Sequence, residues 1–269
     1  AASDKIRNAY VGHIAKTFVL AGETDADATA DAGKVMSLET VLASASLAPV
    51  QLRDPMASYP PMSLEQADAV TPLFPWKDFL STVGLPQLTG LNIAHPDFFR
   101  AINKALSDVP VADWQAYLRW KLLDGASSAM NSAFVNEDFA FFGKTLTGVK
   151  EQPARWKRCV LATDRDLGEV LGQKYVERTF GQEGKERTLR MVNEIEREMA
   201  RDIDSLTWMS DETKKQALAK LKAVANKIGY PEKWRDYANF KVVRGDAVGN
   251  QTRSAAFERR RNLAKIGQP

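Results

Sequence analysis

The chain has 269 residues, of which 44% are apolar and 26% are charged, a composition typical of a globular protein that can bury a sizeable core. Its 37 basic and 34 acidic side chains leave a formal net charge of +3, which gives no electrostatic footprint for nucleic acid or for an anionic membrane surface. No apolar run approaches the roughly 20 residues that a membrane-crossing helix needs, so the sequence predicts no membrane-spanning segment.

Helical periodicity dominates the chain, because apolar residues recur at three- and four-residue steps that place them on one face of a helix. In chain order, the predicted helices cover 3–21, 29–47, 96–107, 111–133, 153–180, 186–206, a helix that begins after Ser210, and 250–265. Ser210 is a favourable N-cap. Gly229 and Pro231 prevent the helix that follows it from continuing.

The remaining segments give few strand signals. Prolines exclude a continuous helix from residues 49–75, and we expect this stretch to wrap over the helices as an ordered loop. Residues 91–95 predict one short strand, while 227–230 and 240–243, on either side of Trp234, predict a hairpin. The sequence therefore predicts a mostly α fold, with a few short strands or one small hairpin, in which residues 1–269 form a single helical domain.

The histidines and the cysteine form no recognisable catalytic pattern. His13 and His95 are far apart and lie outside any H-E-x-x-H motif, so we interpret both as packing or capping residues. Cys159 is the only cysteine, and its position on an apolar helical face predicts a buried, inert thiol. The residues alone thus predict no catalytic residue and no metal ligand, and they leave any substrate-binding residue unknown.

Charged clusters have an equally simple interpretation. The carboxylate pairs Asp202 with Asp204 and Glu194 with Glu198 lie on amphipathic helices, where solvated faces are expected. The basic run 259–261 points around a helix, so its three arginines cannot all face one ligand. Neither G-x-S-x-G nor a glycine-rich phosphate-binding motif occurs. An independent enzyme that uses carboxylates alone stays open as an alternative.

Residues 203–237 carry the most specific pattern in the chain, "IDSLTWMSDETKKQALAKLKAVANKIGYPEKWRDY". This pattern resembles a signature of the neprilysin family of zinc metalloendopeptidases, which includes the bacterial oligopeptidase O enzymes. Segments 50–66, 113–124, 139–160 and 255–269 resemble that family too, in the same order. The signature residues, to which we assign structural roles, are Arg53, Asp54, Pro55, Trp208, Met209, Lys227, Gly229, Tyr230, Pro231, Trp234, Arg235 and Tyr237.

The resemblance implies a two-lobed hydrolase that cleaves oligopeptides inside a chamber. Two histidines and a glutamate bind Zn²⁺ in the catalytic lobe, and a helical cap limits access. The family's H-E-x-x-H motif and its N-A-Y-Y-type substrate strand are absent from this chain. The chain therefore resembles the non-catalytic N-terminal cap, which holds no cofactor itself, and we expect both of its ends to be cuts.

Partners and location also follow from the resemblance. The expected partners are the missing catalytic domain of the same polypeptide and oligopeptide substrates, with no nucleic acid and no membrane span. Relatives from bacteria imply a periplasmic or extracellular location, with a lipoprotein anchor as one variant of it. An α-helical protein-binding scaffold without peptidase activity is the alternative function.

The turn after Gly229 is interpreted as an architectural corner. Trp234 and Tyr237 offer large apolar area to hold it, and Arg235 and Asp236 are predicted to be local ion partners. A direct grip of Arg235 on a peptide carboxylate is the less favoured reading. Because segments of the parent are expected to be missing, we also predict an exposed apolar surface on this chain.

Overall fold

The computed structural model describes residues 2–56, 59 and 61–268. These residues are mostly α-helical, as the sequence predicts. The chain divides into two compact units, which we call the first unit, Ala1–Gln152, and the second unit, Pro153–Pro269.

The first unit contains seven α-helices among its described residues. Helices α1 to α7 are Ala2–Leu20, Asp25–Ser44, Leu64–Val70, Trp76–Thr82, Pro96–Asp108, Val111–Ala126 and Ser132–Asp138. Two short 3-10 turns, Gln51–Arg53 and Ser127–Ala129, and a π-helix, Phe139–Leu146, complete its helical segments. Strands β1 (Pro61–Ser63) and β2 (Gly90–Asn92) pair antiparallel, with Met62 opposite Leu91.

The second unit contains four α-helices among its described residues. Helices α8 to α11 are Arg155–Thr179, Gly181–Ser205, Asp211–Lys222 and Ala247–Leu263. Helix α8 is kinked at Leu167, where φ is −140° and ψ is 34°. Ser210 caps α10 as predicted, because its side chain accepts a hydrogen bond from the Thr213 amide at 3.2 Å.

The main core lies in the first unit, where α1, α2 and α6 meet. Small residues on α2 let the helices approach closely around large side chains from α1 and α6. The buried members of this core are Ile14, Phe18, Ala28, Ala32, Val35, Ala116 and Trp120. A smaller core of Ala67, Trp76 and Ile93 lies beside the two strands.

The second unit has no comparable core. None of the apolar side chains described in it is buried, and Ser254 is the buried residue found there. The accessible surface of the whole chain is 18794 Å². Two separate globular proteins that shared this mass equally would together expose about 14,000 Å². The chain thus exposes more surface than two compact domains of its mass would, and the exposed side chains of the second unit include Trp156, Tyr175 and Trp208. A single contiguous apolar patch stays a prediction.

The structure corrects two predictions for the irregular segments. The predicted hairpin at 227–230 and 240–243 is wrong, because neither run forms a strand and both belong to loops. Part of the proline-rich stretch is helical, since Ser63 and Gln66 form a capping box that starts α3 between two prolines. The strand predicted at 91–95 is confirmed in part, as β2.

Candidate functional site

The corner that follows α10 gathers aromatic and charged side chains, so it is the first candidate for a site. Gly229 turns the chain with φ of 72°, and a Cβ atom there would lie 2.5 Å from the Phe180 ring. Both facts favour glycine at this position. The Trp234 ring stacks on the Tyr230 ring, with centroids 5.9 Å apart and planes 5° from parallel.

Helix α9 holds one side of this corner through Lys185. Its Nζ lies 4.5 Å from the centroid of the Tyr230 ring and donates a hydrogen bond to the Tyr230 carbonyl oxygen at 3.1 Å. The same ammonium group forms an ion pair with Glu232 at 2.6 Å. The Lys185 ammonium group therefore makes a hydrogen bond, an ion pair and a cation–π contact with the turn.

Arg235 links the corner to two helices. Its backbone amide donates to Glu169 Oε2 on α8 at 2.6 Å, and its Nη2 lies 3.1 Å from Glu169 Oε1. Its Nη1 contacts the carboxylate of Glu258 on α11. The side chain is 23% exposed. The predicted ion pair with Asp236 is wrong, because Asp236 Oδ1 instead accepts from the Ala238 amide at 2.8 Å.

The chain beyond Arg235 packs along α11. The rings of Tyr237 and Phe257 stack with centroids 5.3 Å apart, and Phe240 meets Phe257 edge-on at 5.6 Å. Further along, the Asn250 side chain exchanges two hydrogen bonds of 2.8 Å with the backbone of Val243. Arg235 Nε is buried without a hydrogen-bond partner among the described residues. The other polar contacts of the corner join it to neighbouring helices, so its arrangement can position those helices relative to each other.

The remaining signature residues lie at more exposed places. In the second unit, Trp208 and Lys227 are exposed, Pro231 is exposed at the turn, and Met209 is half-buried. In the first unit, residues 53–55 are exposed at the end of a 3-10 turn. The structural role assigned to these residues stays a prediction.

The second candidate site surrounds His13 in the first unit. His13 is buried, its ring stacks on Phe141 at 4.9 Å, and Trp120 packs edge-on at 5.4 Å. Its Nδ1 lies 3.2 Å from Glu137 Oε1, and Lys16 Nζ lies 3.7 Å from the same oxygen. The prediction that His13 is a packing residue is confirmed.

Cys159 differs from its predicted environment, and the half-buried His95 differs from its prediction only as a capping residue. His95 occupies the N-cap position of α5, yet its side chain forms no capping hydrogen bond, and its buried Nδ1 has no partner among the described residues. The prediction that Cys159 is buried is wrong, because its face of α8 is exposed to solvent. The apolar periodicity of α8 correctly predicts a helix, but it does not determine whether another helix covers the apolar face.

Potential metal ligands are scattered over the part of the chain that the structure describes. There, no three or more His, Cys, Asp and Glu side chains group together in a way that could hold a metal ion. The carboxylates of Glu194 and Glu198 pair with Arg197 and Arg201, one turn further along α9. Their interpretation as a solvated helix face is confirmed.

An apolar groove of about 490 Å³ lies along α8 on both sides of its kink. Its apolar lining includes Val160, Leu161, Leu171 and Tyr175, and Lys174 and Arg178 lie on its polar side. Trp156, one turn before this groove, is 65% exposed, and Trp208 after α9 is 74% exposed. These helices therefore present large apolar side chains to solvent.

The two units carry opposite net charges, a feature that the whole-chain balance conceals. The first unit has 12 basic and 17 acidic side chains, and the second has 25 basic and 17 acidic. Their net charges are therefore −5 and +8. The contrast is present in the sequence on the two sides of Gln152, but no local sequence pattern marks a division there.

None of the helices described is both long enough and apolar enough to cross a membrane.

Comparisons with known proteins give a consistent family. The family model described as Peptidase family M13 matches residues 1–231. The chain is 26% identical to mouse endothelin-converting enzyme 1 over 236 residues, which cover 85% of this chain and 30% of that protein. It is 25% identical to Neprilysin-3 of Drosophila melanogaster over 289 residues, which cover 98% of this chain and 36% of that protein.

Solved structures with the same fold come from bacteria. The zinc metalloprotease Zmp1 of Mycobacterium tuberculosis, in its open state, is 34% identical with a TM-score of 0.88, over 98% of this chain and 41% of that one. PepO from Lactobacillus rhamnosis is 20% identical with a TM-score of 0.83, over 96% of this chain and 42% of that one, and shows the fold alone. The chain spans less than half the length of each of these relatives.

Proposed function

This chain belongs to peptidase family M13, and from that premise we propose that it forms the helical, non-catalytic cap of a neprilysin-like zinc metalloendopeptidase. In this proposal, the parent protein hydrolyses peptide bonds in oligopeptides, and the cap limits access to an internal chamber. Both units of the chain act together as the cap, and the catalytic domain lies elsewhere in the parent. The cap role rests on one structural observation above all, the uncovered apolar faces of the second unit.

Those faces are what a cap would present to the rest of its parent protein. Helices α8 and α9 keep a regular apolar periodicity, yet Trp156, Tyr175, Ile195 and Met199 on them are exposed. Isolated exposed apolar residues are common, but a series of large ones on neighbouring helices marks an interaction surface. Covering these helices with the catalytic portion would bury them at an interface resembling a protein core.

The described residues do not fit the zinc site of such an enzyme. A catalytic zinc needs three protein ligands and one open position. His13 already directs Nδ1 at Glu137 and has its ring enclosed by Phe141 and Trp120, and no third donor joins this pair to make a metal-binding group. When bound in the parent, zinc polarises the peptide carbonyl and activates water. We therefore assign zinc binding to the parent's catalytic domain.

In this proposal the cap acts sterically. Helices enclosing a chamber admit extended peptides and exclude folded proteins, and closure removes water from the site. The corner contributes by fixing helices α8, α9 and α11 through Glu169, Lys185 and Glu258. A periplasmic or extracellular location, in a bacterium, belongs to the same proposal.

The proposal is tested by comparing this chain with a longer polypeptide from the same reading frame. The substrates are a short quenched fluorescent peptide and a folded protein that carries the same sequence in a loop. We expect the longer polypeptide to cleave only the short peptide, with loss of activity on zinc chelation, and this chain alone to cleave neither.

Cleavage by this chain alone, surviving repurification and blocked by a chelator, would overturn the non-catalytic role. Cleavage of the folded protein by the longer polypeptide, at a rate like that of the short peptide, would overturn the access role. A reading frame with no H-E-x-x-H beyond Pro269 would favour the α-helical protein-binding scaffold instead.

A further inference from the structure

The corner loop packs along α11 in the second unit, and the two together form a strongly basic segment. Arg235 contacts Glu258, the Tyr237 ring stacks on Phe257, and the Lys241 carbonyl oxygen accepts a hydrogen bond from Arg253 Nε at 3.0 Å. Successive loop residues thus meet α11 in reverse order along its length. We call residues 233–265, the loop together with its helix, the basic strip.

The acidic side chains of the basic strip are already engaged. The strip has nine basic and three acidic side chains. Glu258 contacts Arg235 and lies 3.5 Å from Arg261, and Asp246 lies 3.0 Å from Arg253. Asp236, the third acid, accepts from the Ala238 amide and pairs with no cation of the strip. Since Glu258 and Asp246 neutralise only basic residues that they contact, the other cations of the strip keep their charge uncompensated.

Six of the basic side chains are exposed and have no ion-pair partner among the described residues. They are Lys233, Lys241, Arg244, Arg259, Arg260 and Lys265. Several unpaired like charges within one packed segment raise the local concentration of oppositely charged ligands. The strip therefore attracts an acidic partner.

Apolar side chains lie among these cations. Val242 and Val248 are exposed on the strip, and Ile266 is exposed directly after it. The aromatic rings of Tyr237 and Phe257 are stacked on each other and half-buried, so they do not offer the free faces on which nucleic-acid bases stack. A partner with carboxylates and apolar side chains fits this surface better than a polyphosphate.

We propose that the basic strip binds peptide segments that combine acidic and apolar side chains. In the parent enzyme, and resting on the proposed function, this surface would favour acidic oligopeptides as substrates by raising their rate of association. The cations act as binding groups that contribute charge, and the chemistry of cleavage takes place elsewhere.

Binding is measured with this chain by fluorescence anisotropy. The probes are a labelled 12-residue peptide of alternating Glu and Leu, the same peptide with Lys for Glu, and a single-stranded DNA of equal negative charge. We expect the Glu peptide to bind most tightly, with about tenfold lower affinity at 200 mM than at 20 mM salt because ions screen exposed charges. Binding of the Lys peptide at equal affinity, or tighter binding of the DNA, would overturn the assignment.

Charge-reversal variants locate the surface. Arg259→Glu with Arg260→Glu should lower affinity for the Glu peptide about tenfold. Lys241→Glu with Arg244→Glu tests the loop side independently, so the inference stays testable even where one variant folds poorly. The matched control, Lys77→Glu with Lys150→Glu, makes the same charge change in the first unit and should leave the affinity unchanged.

If the control variant weakens binding as much as the strip variants do, the attraction arises from the total charge of the chain, and the strip is not the binding surface. Absence of peptide binding together with chelator-sensitive activity of the parent would reject this inference and leave the proposed function intact. Binding by this chain, with no peptidase activity in the parent, would reject the proposed function alone.

Discussion

Trp120 and Trp156 show how differently the two units use the same side chain. Trp120 on α6 is 0% exposed, between α1 and α2, and its Nε1 donates to the Tyr10 hydroxyl at 3.0 Å. Trp156, at the start of α8, is 65% exposed. Both lie on long α-helices, so the difference arises because neighbouring helices cover only one of the two rings.

Each unit is also stabilised internally by a different kind of interaction. Tightly packed apolar side chains stabilise the first unit, with Trp76 as the anchor of a second small core. In the second unit, ring stacks and the ion pairs of Lys185 and Arg235 connect the helices. Apolar burial contributes about 25 cal/mol per Å², whereas partly exposed ion pairs contribute little. The first unit should therefore be the more stable one.

The largest expected effect comes from removing the two tryptophans in turn. Trp120→Ala should lower the free energy of unfolding by about 3–5 kcal/mol, because it leaves a cavity in a closed core. Trp156→Ala should change it by less than about 0.5 kcal/mol, because most of the ring is already in water. Urea unfolding followed by circular dichroism measures both, and equal losses would contradict the contrast between the units.

Removing Arg235 should destabilise the second unit more than removing an ordinary surface arginine. Arg235→Ala leaves the half-buried carboxylate of Glu169 without its partner and leaves Glu258 with Arg261 alone, and we expect a loss of about 1–3 kcal/mol. Arg197→Ala removes an exposed pair on α9 and should cost less than about 0.5 kcal/mol.

Hydrogen exchange locates the loss caused by Arg235→Ala. Amides of α8 and α11 should exchange faster, while those of α1 should not change. Arg235→Lys should recover only part of the stability, because an ammonium group cannot contact both carboxylates as the guanidinium does. Full recovery by lysine would show that charge alone matters at the corner.

Polar substitution of the α8 groove should change association with little change in stability. Leu161→Gln with Tyr175→Gln removes two exposed apolar side chains, so we expect weaker binding of an apolar dye and less self-association. Leu38→Gln in α2 is the matched contrast, because it places a polar group in the closed core and should unfold the first unit. Sedimentation and dye fluorescence measure these effects, and unchanged dye binding in the groove variant would argue against an open apolar face.

The smallest expected effects concern two carboxylates with opposite pKa shifts. Burial raises the pKa of Asp138 in the first unit, and the charge of Asp124 acts in the same direction, while His13 opposes it. The folded state therefore holds this proton more tightly, and stability falls as pH rises from 3.8 through the raised pKa. Asp138→Asn should remove this loss and stabilise the protein at pH 7.

Asp246 in the second unit should show the reverse behaviour. A hydrogen bond from Arg253, and then one from the Gly249 amide, lower the pKa of Asp246. Its contribution to stability is present above 3.8 and is lost as pH falls through the lowered pKa. Asp246→Asn should therefore destabilise the protein at pH 7. Urea midpoints between pH 2 and pH 7 for both variants check the two signs, and shifts of the same sign would contradict them.

Local sequence patterns were sufficient to place most helices. Helices α1, α5 and α9 lie within a few residues of their predicted ranges, except that α9 begins five residues earlier, at Gly181. Helix α2 also begins earlier than predicted, since Thr24 caps it by accepting from the Asp27 amide. Periodicity and caps depend on residues within one or two turns of each other, so they can be read from the sequence.

Long-range features could not be read in the same way. Arg235 pairs with Glu169, which lies 66 residues away in the chain, and with Glu258, which lies 23 residues away. The hairpin predicted beside Trp234 failed because packing on α8 and α11 outweighs the weak strand preference of short runs. Residue types therefore suggested a structural corner, and only the folded chain shows which helices it connects.

The sequence by itself determined the helical character of this protein, the cap at Ser210 and the resemblance to a zinc metalloendopeptidase family. Only the tertiary structure decided that Cys159 is exposed, that the chain divides after Gln152 into units of opposite charge, and that one of them leaves its apolar faces open. The physical reason is that helix formation depends on residues close together in the sequence. Burial and the electrostatic field of each unit depend instead on which distant segments come together.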